Sequence, residues 1–435
     1  MDEDQDELFQ YRSDAYRAHI ASDFAYSAAD AAQPAWPFQA EAIDTIIPKI
    51  DKSAPTVLHL ATGGGKTRVA NDVVREWLRL KGAPIVWITK DWRLLAQAAR
   101  DLSRRHKHIR IAREGGDGKN LHPIWPGGWA DVVFSTIQTS QKRLHSSDWA
   151  WSRPSLVVWD ECHWGETAGA AAILHWCGYM GTPVLGLTAT PRVHGKYIVT
   201  YSKSFKELVD REVLANPLVD GPVATKVDWL PSFDAGEVAT ASLWELTTSL
   251  KRNERIVSHY VDNQHKYQRT IVFACNIEHA NRLAALLIDR GIAAESVHSY
   301  QSEATTHKAL HRFKEGSLQV LVNVEMLTHG IDVPNARTVF LCRPTTSDIL
   351  FAQMIGRAAR REPGIYGKKD FYIVEFTDNV LKHGELLRTY KQFFTGSAFA
   401  GTWVTNQQQE LKSPAVHPLV VQQRRQSRAW CYRAP

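Results

Sequence analysis

The sequence predicts an α/β protein built as two tandem, mainly parallel sheets, and three observations carry that prediction. Short apolar runs alternate with amphipathic, helix-period stretches along most of the 435 residues. The alternation weakens once, between about Ser202 and Glu245, where Asn216-Pro217, Gly221-Pro222 and Pro231 punctuate the chain. A glycine-rich string, Ala61-Thr62-Gly63-Gly64-Gly65-Lys66-Thr67, stands between a strand-like run and a helical pattern, as a βα unit requires.

Taken in order, Met1 to Glu7 is acidic and Ala-rich sequence follows to about Ala35, a solvated segment with some helical potential. The run Trp36-Pro37-Phe38-Gln39 opens a helical pattern that continues through Ile50. Buried strands are expected at Thr56 to Leu60, Pro84 to Thr89, Asp131 to Ser135, Leu156 to Trp159 and Pro183 to Leu187. A second series follows at Arg269 to Ala274, Glu295 to His298, Leu318 to Asn323, Thr338 to Cys342 and Phe371 to Phe376. The expected division is a terminal segment 1–35, a first domain 36–222, a linker 223–245, a second domain 246–380, and a helical extension with a basic tail, 381–435. That tail carries Arg424, Arg425, Arg428 and Arg433.

Composition narrows the classes. With 44% hydrophobic and 23% charged residues and no apolar run long enough to cross a bilayer, the chain reads as globular with no membrane partner. An acidic start is unlike a secretory signal, which points to the cytoplasm. Five scattered cysteines without CxxC spacing read as reduced thiols. A net charge of +6 suits a polyanionic partner, although many basic proteins bind nothing acidic.

The glycine-rich string carries the first chemistry. Glycines let the backbone curl so that its N–H groups face phosphate oxygens at the positive end of the following helix, expected from Arg68. Lys66 then supplies a charge for β- and γ-phosphates, and Thr67 a hydroxyl for Mg²⁺. Leu60 stands where the longer phosphate-loop pattern has its first glycine, so only the shorter T-G-x-G-K-T form is met.

About ninety residues on, Leu156-Val157-Val158-Trp159 ends in Asp160-Glu161-Cys162-His163. Two carboxylates at the C-terminal end of a buried strand stand where such sheets bind ligands. Asp160 suits the metal shell, and Glu161 suits orienting and polarising an attacking water. A rival zinc site from Cys162, His163, His175 and Cys177 lacks ligand spacing, and Trp164 and Trp176 favour packing there. In Gln353-Met354-Ile355-Gly356-Arg357-Ala358-Ala359-Arg360 the two arginines share one face if the segment is helical. After two phosphate-site motifs they read as an arginine-finger element.

These residues together resemble superfamily 2 helicases and translocases of the DEAD/DEAH-box (DExH) type, with a restriction-enzyme or repair type of core. The resemblance covers about Trp36 to Phe376, with the motifs in the family's order. It implies two tandem RecA-like domains with an ATP cleft between them, and ATP with Mg²⁺ as the bound nucleotide. It implies that Gln39 reads adenine, that Thr62, Gly63, Gly64, Gly65, Lys66 and Thr67 form motif I, and that Asp160 and Glu161 lie in motif II. Ile88-Thr89-Lys90 with Leu94 to Gln97, and Ser135 to Thr139, match motifs Ia and Ib, which implies a strand contact at Thr136. Thr188-Ala189-Thr190 matches motif III, and Ile271 to Asn276 loosely matches motif IV. Val324 to Pro334 is similar to motif V, implying that Thr328 and Gly330 face the strand and Asp332 the nucleotide. The segment with Gln353, Arg357 and Arg360 matches motif VI and implies a catalytic contribution, with Gln353 near His163; Ala359 stands where related proteins often have glycine.

The implied activity is a nucleic-acid-dependent ATPase that moves along or unwinds a strand, with DNA favoured over RNA because DECH, STIQT and QMIGRAAR look more like the restriction and repair branch. An RNA helicase and an ATP-gated clamp within a larger complex remain alternatives, and a protein partner would confer specificity. Arg93, Arg113, Lys119, Lys142 and Arg143 are candidate phosphate contacts, and Trp92, Trp125 and Trp129 candidate stacking residues. Taken singly, such side chains are more often solvated charges or packing aromatics.

Overall fold

The computed structural model describes residues 36–50, 54–90, 92–114, 130–144, 154–162, 168–190, 198–324 apart from a few positions between 226 and 236, 335–361, 368–376, and single positions up to 393. The chain divides into two compact units: Met1–Ala61 with Gly65–Lys203, and Thr62–Gly64 with Ser204–Pro435.

The first unit is a seven-stranded sheet whose pairings are all parallel. Its strands are β1 (Thr56–Leu60), β2 (Ile85–Thr89), β3 (Ile111–Glu114), β4 (Val132–Thr136), β5 (Leu156–Asp160), β6 (Val184–Thr188) and β7 (Ile198–Lys203). Their order across the sheet is β3-β4-β2-β5-β6-β1-β7. Helices α1 (Pro37–Ile46), α2 (Lys66–Lys81), α3 (Trp92–Arg105), α4 (Ile137–Arg143) and α5 (Ala168–Met180) connect and cover them. Pro37 sits at the start of α1, where its missing N–H costs nothing. Every residue of β1, β2, β4 and β6 is buried, as strands covered on both faces must be. The inner face of α2 contributes Val69, Val73, Val74, Trp77 and Leu78 to the core. Full burial of each aliphatic member stabilises by about 1.5–3 kcal/mol.

The second unit adds α6 (Phe205–Asp210), β8 (Asn216–Val223), a two-residue hairpin pair β9 (Phe233–Asp234) and β10 (Glu237–Val238), α7 (Thr240–Thr248), α8 (Leu250–Asp262) and α9 (Gln264–Tyr267). It continues with β11 (Thr270–Phe273), α10 (Ile277–Asp289), β12 (Ala294–Val297), α11 (Glu303–Glu315), β13 (Val320–Asn323), β14 (Thr338–Leu341), α12 (Asp348–Ala359) and β15 (Asp370–Phe376). Six of these strands form a sheet ordered β12-β13-β11-β14-β15-β8, again with parallel pairings. The expected α/β class with two parallel sheets is therefore what the chain adopts.

The expected boundary is corrected. Residues 216–222, assigned from sequence to the first domain, are a strand of the second sheet, pairing with β15 from Asn216↔Asp370 to Val223↔Phe376. Pro217 and Pro222, which suggested a junction, are tolerated because β8 is an edge strand, where a missing N–H breaks no ladder. Gly221 has φ 129°, and a Cβ there would lie 2.9 Å from the Glu375 carbonyl oxygen, so glycine is needed where the two backbones meet. The edge strands β3 and β7 were not among the expected strands. The terminal segment 1–35 lies outside the described residues, as does nearly all of 381–435 with its arginines.

Candidate nucleotide site

The site of the first unit is assembled where β1, β6 and β5, neighbours in the sheet, end together. The chain leaves β1 through Ala61 into the glycine loop and becomes helical at Lys66, the first residue of α2. The helix thus begins two residues before the expected Arg68, with Lys66 and Thr67 inside its first turn. Gly63 and Gly65 have φ of 94° and 82°, the left-handed region that glycine enters without strain. A Cβ at Gly65 would stand 2.5 Å from Nε2 of Gln39. Gln39 is itself buried on α1, and its Oε1 accepts a hydrogen bond from the Trp36 backbone N–H at 3.1 Å. The loop therefore packs directly on the glutamine that the sequence singled out. Thr62 Oγ1 is buried and has no hydrogen-bond partner among the described residues.

Lys66 Nζ lies 3.4 Å from Glu161 Oε1, with both side chains largely buried. The Glu161 backbone N–H donates to Asp160 Oδ1 at 3.0 Å. Glu161 holds φ 54°, a left-handed conformation unusual for a residue with a side chain and the sort of strain found at functional sites. Burial, and then the Glu161 charge beside it, push the Asp160 carboxyl well above the usual carboxylate range, while Lys66 opposes the shift. Two adjacent carboxylates that resist ionising together, facing a lysine, form a site whose chemistry fits a divalent cation.

Cys162 serves packing. A Cβ on Gly186 of β6 would lie 2.8 Å from its Sγ, so the thiol fills the space that glycine leaves. Burial, with the neighbouring carboxylates, pushes its pKa up to about 12. Cys177 is buried as well and is raised to about 12 for the same first reason.

Motif III is held by a residue the sequence reading passed over. His59, fully buried on β1, places Nδ1 2.7 Å from Ser202 Oγ on β7 and Nε2 3.0 Å from the Ala189 carbonyl oxygen. Thr190 N–H in turn donates to Thr188 Oγ1 at 3.1 Å. One imidazole therefore ties the strand that feeds the phosphate loop to the segment after β6. The available signal was a single polar residue inside the otherwise apolar Val57-Leu58-His59-Leu60.

Thr136, at the end of β4, caps α4: its Oγ1 accepts from the Thr139 N–H at 3.3 Å. In the second unit, Gln353 and Arg357 are buried on α12. Here the expectation of two arginines on one helical face is corrected. The helix stops at Ala359, and Arg360 is extended (φ −61°, ψ 131°) in an antiparallel bridge with Leu214. The Ala215 N–H also donates to the Ala359 carbonyl at 2.6 Å, so β-type pairing takes over where another helical turn would have run. A second residue missed from sequence is Lys368, buried, whose Nζ donates to the carbonyls of Ala336, at 2.7 Å, and Ala358. A cation at the end of α12 satisfies carbonyls that the helix leaves unpaired.

Beneath motif IV, Asn276 caps α10 by accepting from the His279 N–H at 2.8 Å. His279 Nδ1 accepts from the Cys275 N–H at 3.2 Å, and Nε2 lies 3.1 Å from Asn253 Oδ1. Burial holds this imidazole well below its ordinary pKa, and therefore neutral. His163, Thr328, Gly330 and Asp332 lie outside the described residues.

Comparison with known proteins agrees with this arrangement. Residues 34–193 match the family described as type III restriction enzyme, res subunit, and residues 251–362 match the helicase conserved C-terminal domain. The helicase IRC3 of Saccharomyces cerevisiae is 26% identical over 360 residues, 78% of this chain and 51% of that protein. The chain thus spans about half the length of this curated relative. Among solved structures, an HsdR fragment of a type I restriction enzyme from Vibrio vulnificus superposes with TM-score 0.59 at 22% identity, over 83% of this chain and 65% of that one. The type ISP restriction-modification enzyme LlaBIII, solved bound to DNA, gives TM-score 0.59 at 15% identity, over 79% of this chain and 27% of that one. With both halves of the core matched in order and the same two-sheet fold in restriction enzymes, the chain belongs to the superfamily 2 helicases, with a core of the restriction-enzyme type.

Proposed function

We propose that the chain is a nucleic-acid-dependent ATPase working as a DNA helicase or translocase, with hydrolysis coupled to closure of its two units on a strand. The observation that carries this is the Lys66–Glu161 contact of 3.4 Å beside Asp160, at the mouth of a left-handed glycine loop. A bound magnesium nucleotide supplies the scissile phosphoanhydride and a divalent charge. Thr62, Gly63, Gly64 and Gly65 line its phosphates with backbone N–H groups at the start of α2, and Gln39, seated under Gly65, takes the base. Lys66 offsets charge on the β- and γ-phosphates, while Thr67 and Asp160 hold the cation's shell. Glu161 orients the attacking water and accepts its proton, and Lys66 keeps that carboxylate in place until nucleotide arrives. Gln353, Arg357 and Arg360 act from the second unit, with Asp332 on the nucleotide. With contributing groups on both units, hydrolysis is coupled to movement of the units, which is how a motor couples chemistry to a strand.

DNA is favoured because the family matched over 34–193 is a restriction-enzyme subunit and because LlaBIII is named as bound to DNA. Thr136, Thr328 and Gly330 are the proposed strand contacts. The test is the ATPase rate against single- and double-stranded DNA and RNA. DNA stimulation that disappears in Lys66→Ala and Glu161→Gln is expected, RNA-selective stimulation would turn the assignment to an RNA helicase, and no hydrolysis with any polymer would overturn the motor. Strand-displacement and triplex-displacement assays then separate unwinding, translocation and clamping. A protein partner supplying target choice is part of the proposal.

A further inference from the structure

Sheet order brings three strand ends of the first unit side by side: β3, β4 and β2. In register, Glu114 of β3 faces Ser135 of β4, and Thr136 faces Thr89 of β2, so the chain leaves all three at one level. Just past Thr89, α3 begins with Trp92, an indole left 38% exposed. The Arg113 guanidinium of β3 lies over that ring, 5.9 Å from its centroid. Both side chains are borne on regular elements, not on a loop tip.

The surroundings are stiffened from beneath. Glu114, fully buried, lies 3.9 Å from Arg143 Nε at the end of α4. Ser140 Oγ of the same helix donates to Ser135 Oγ at 3.2 Å. The exposed side of α4 presents Gln138 and Lys142, and Lys90 follows β2, so cationic and polar side chains stand at the same strand-end edge that carries the indole. An exposed indole held by an arginine on a cationic edge matches the chemistry of unpaired nucleobases on a phosphodiester backbone. Bases stack on the ring, and cations follow the phosphates.

We propose that Trp92, positioned by Arg113, is a base-stacking platform for single-stranded nucleic acid. This rests on the nucleic-acid reading above and deepens it, placing one of the candidate stacking residues as a base contact beside the strand contact proposed at Thr136. Duplex would not present a free base face to the indole, so the platform selects unpaired strand.

The test compares binding of a thymidine oligonucleotide with binding of an abasic oligonucleotide of equal length, using the full chain with a non-hydrolysable ATP analogue. The native protein is expected to prefer thymidine by about tenfold or more, within the range for stacking on one aromatic side chain. W92A is expected to lose that preference, and W92F to keep most of it. R113A is expected to reduce the thymidine preference, because the indole loses the guanidinium that positions it, and also to reduce the salt slope of binding by about one, a slope that W92A leaves unchanged. If Trp92 merely supported the fold, W92A would weaken both oligonucleotides equally and the preference would survive, which overturns the proposal. A native protein that binds both strands equally also overturns it while leaving the motor intact. Binding to neither strand removes both.

Discussion

Replacing His59 with leucine isolates one buried connection. Leucine suits the apolar strand and nearly keeps the volume, so the perturbation includes the loss of the hydrogen bonds to Ser202 Oγ at 2.7 Å and the Ala189 carbonyl at 3.0 Å. Each neutral hydrogen bond contributes about 1 kcal/mol net, and a buried acceptor left without a donor costs a further 1–3 kcal/mol, roughly. The Ala189 carbonyl is such an acceptor, because Ala189 is buried. The expected destabilisation of the first unit is therefore about 3–5 kcal/mol. Urea unfolding followed by circular dichroism measures it, and the H59L/S202A double mutant completes a cycle. The two changes should be non-additive by about 0.5–1.5 kcal/mol, since they remove the same bond. A loss below about 1 kcal/mol would refute the assignment of His59 as the tie between β1 and the segment after β6, and strict additivity would refute its bond to Ser202 of β7.

Other expectations follow from the same geometry. Gly65→Ala must hold φ 82° with a Cβ 2.5 Å from Gln39 Nε2, so it should lower the affinity for a fluorescent ATP analogue by tenfold or more, roughly, from left-handed strain plus the clash. Lys368→Met leaves the Ala336 and Ala358 carbonyls without their donor and should destabilise the second unit by about 2–4 kcal/mol in chemical denaturation. Glu375, fully buried with only the Tyr390 N–H donating to its Oε1 among the described residues, is raised by burial from 4.5 to about 8. Its folded form binds the proton more tightly than its unfolded form, so its contribution is complete below about 4.5 and is lost as pH rises toward about 8. Denaturation midpoints of the second unit should fall across that window, and Glu375→Gln should flatten the fall; an unchanged slope would remove Glu375 as its source.

What sequence determined here is whatever local chemistry and periodicity dictate. The ten expected strands match observed ones with ends shifted by at most two residues; most are buried parallel strands, which read as nearly continuous apolar runs too short for a helix, although β12 is a half-exposed edge strand. The string Thr62 to Thr67 and the pair Asp160-Glu161 were equally legible, since residue type and position at a strand end are enough to name them. The edge strands β3 and β7 escaped because edges carry mixed, half-exposed sequence, and β8 escaped because its prolines are allowed only by what lies beside it. Arg360 left its expected helix because Leu214 and Ala215, some 145 residues earlier, pair with the chain there. Tertiary structure alone likewise decided that Lys66 meets Glu161, that Cys162 packs on Gly186, and that His59 and Lys368 are internal ties. Each of these depends on residues far apart in sequence finding one another in a dense interior, where an unpaired polar group is costly and the partner cannot be read from its neighbours.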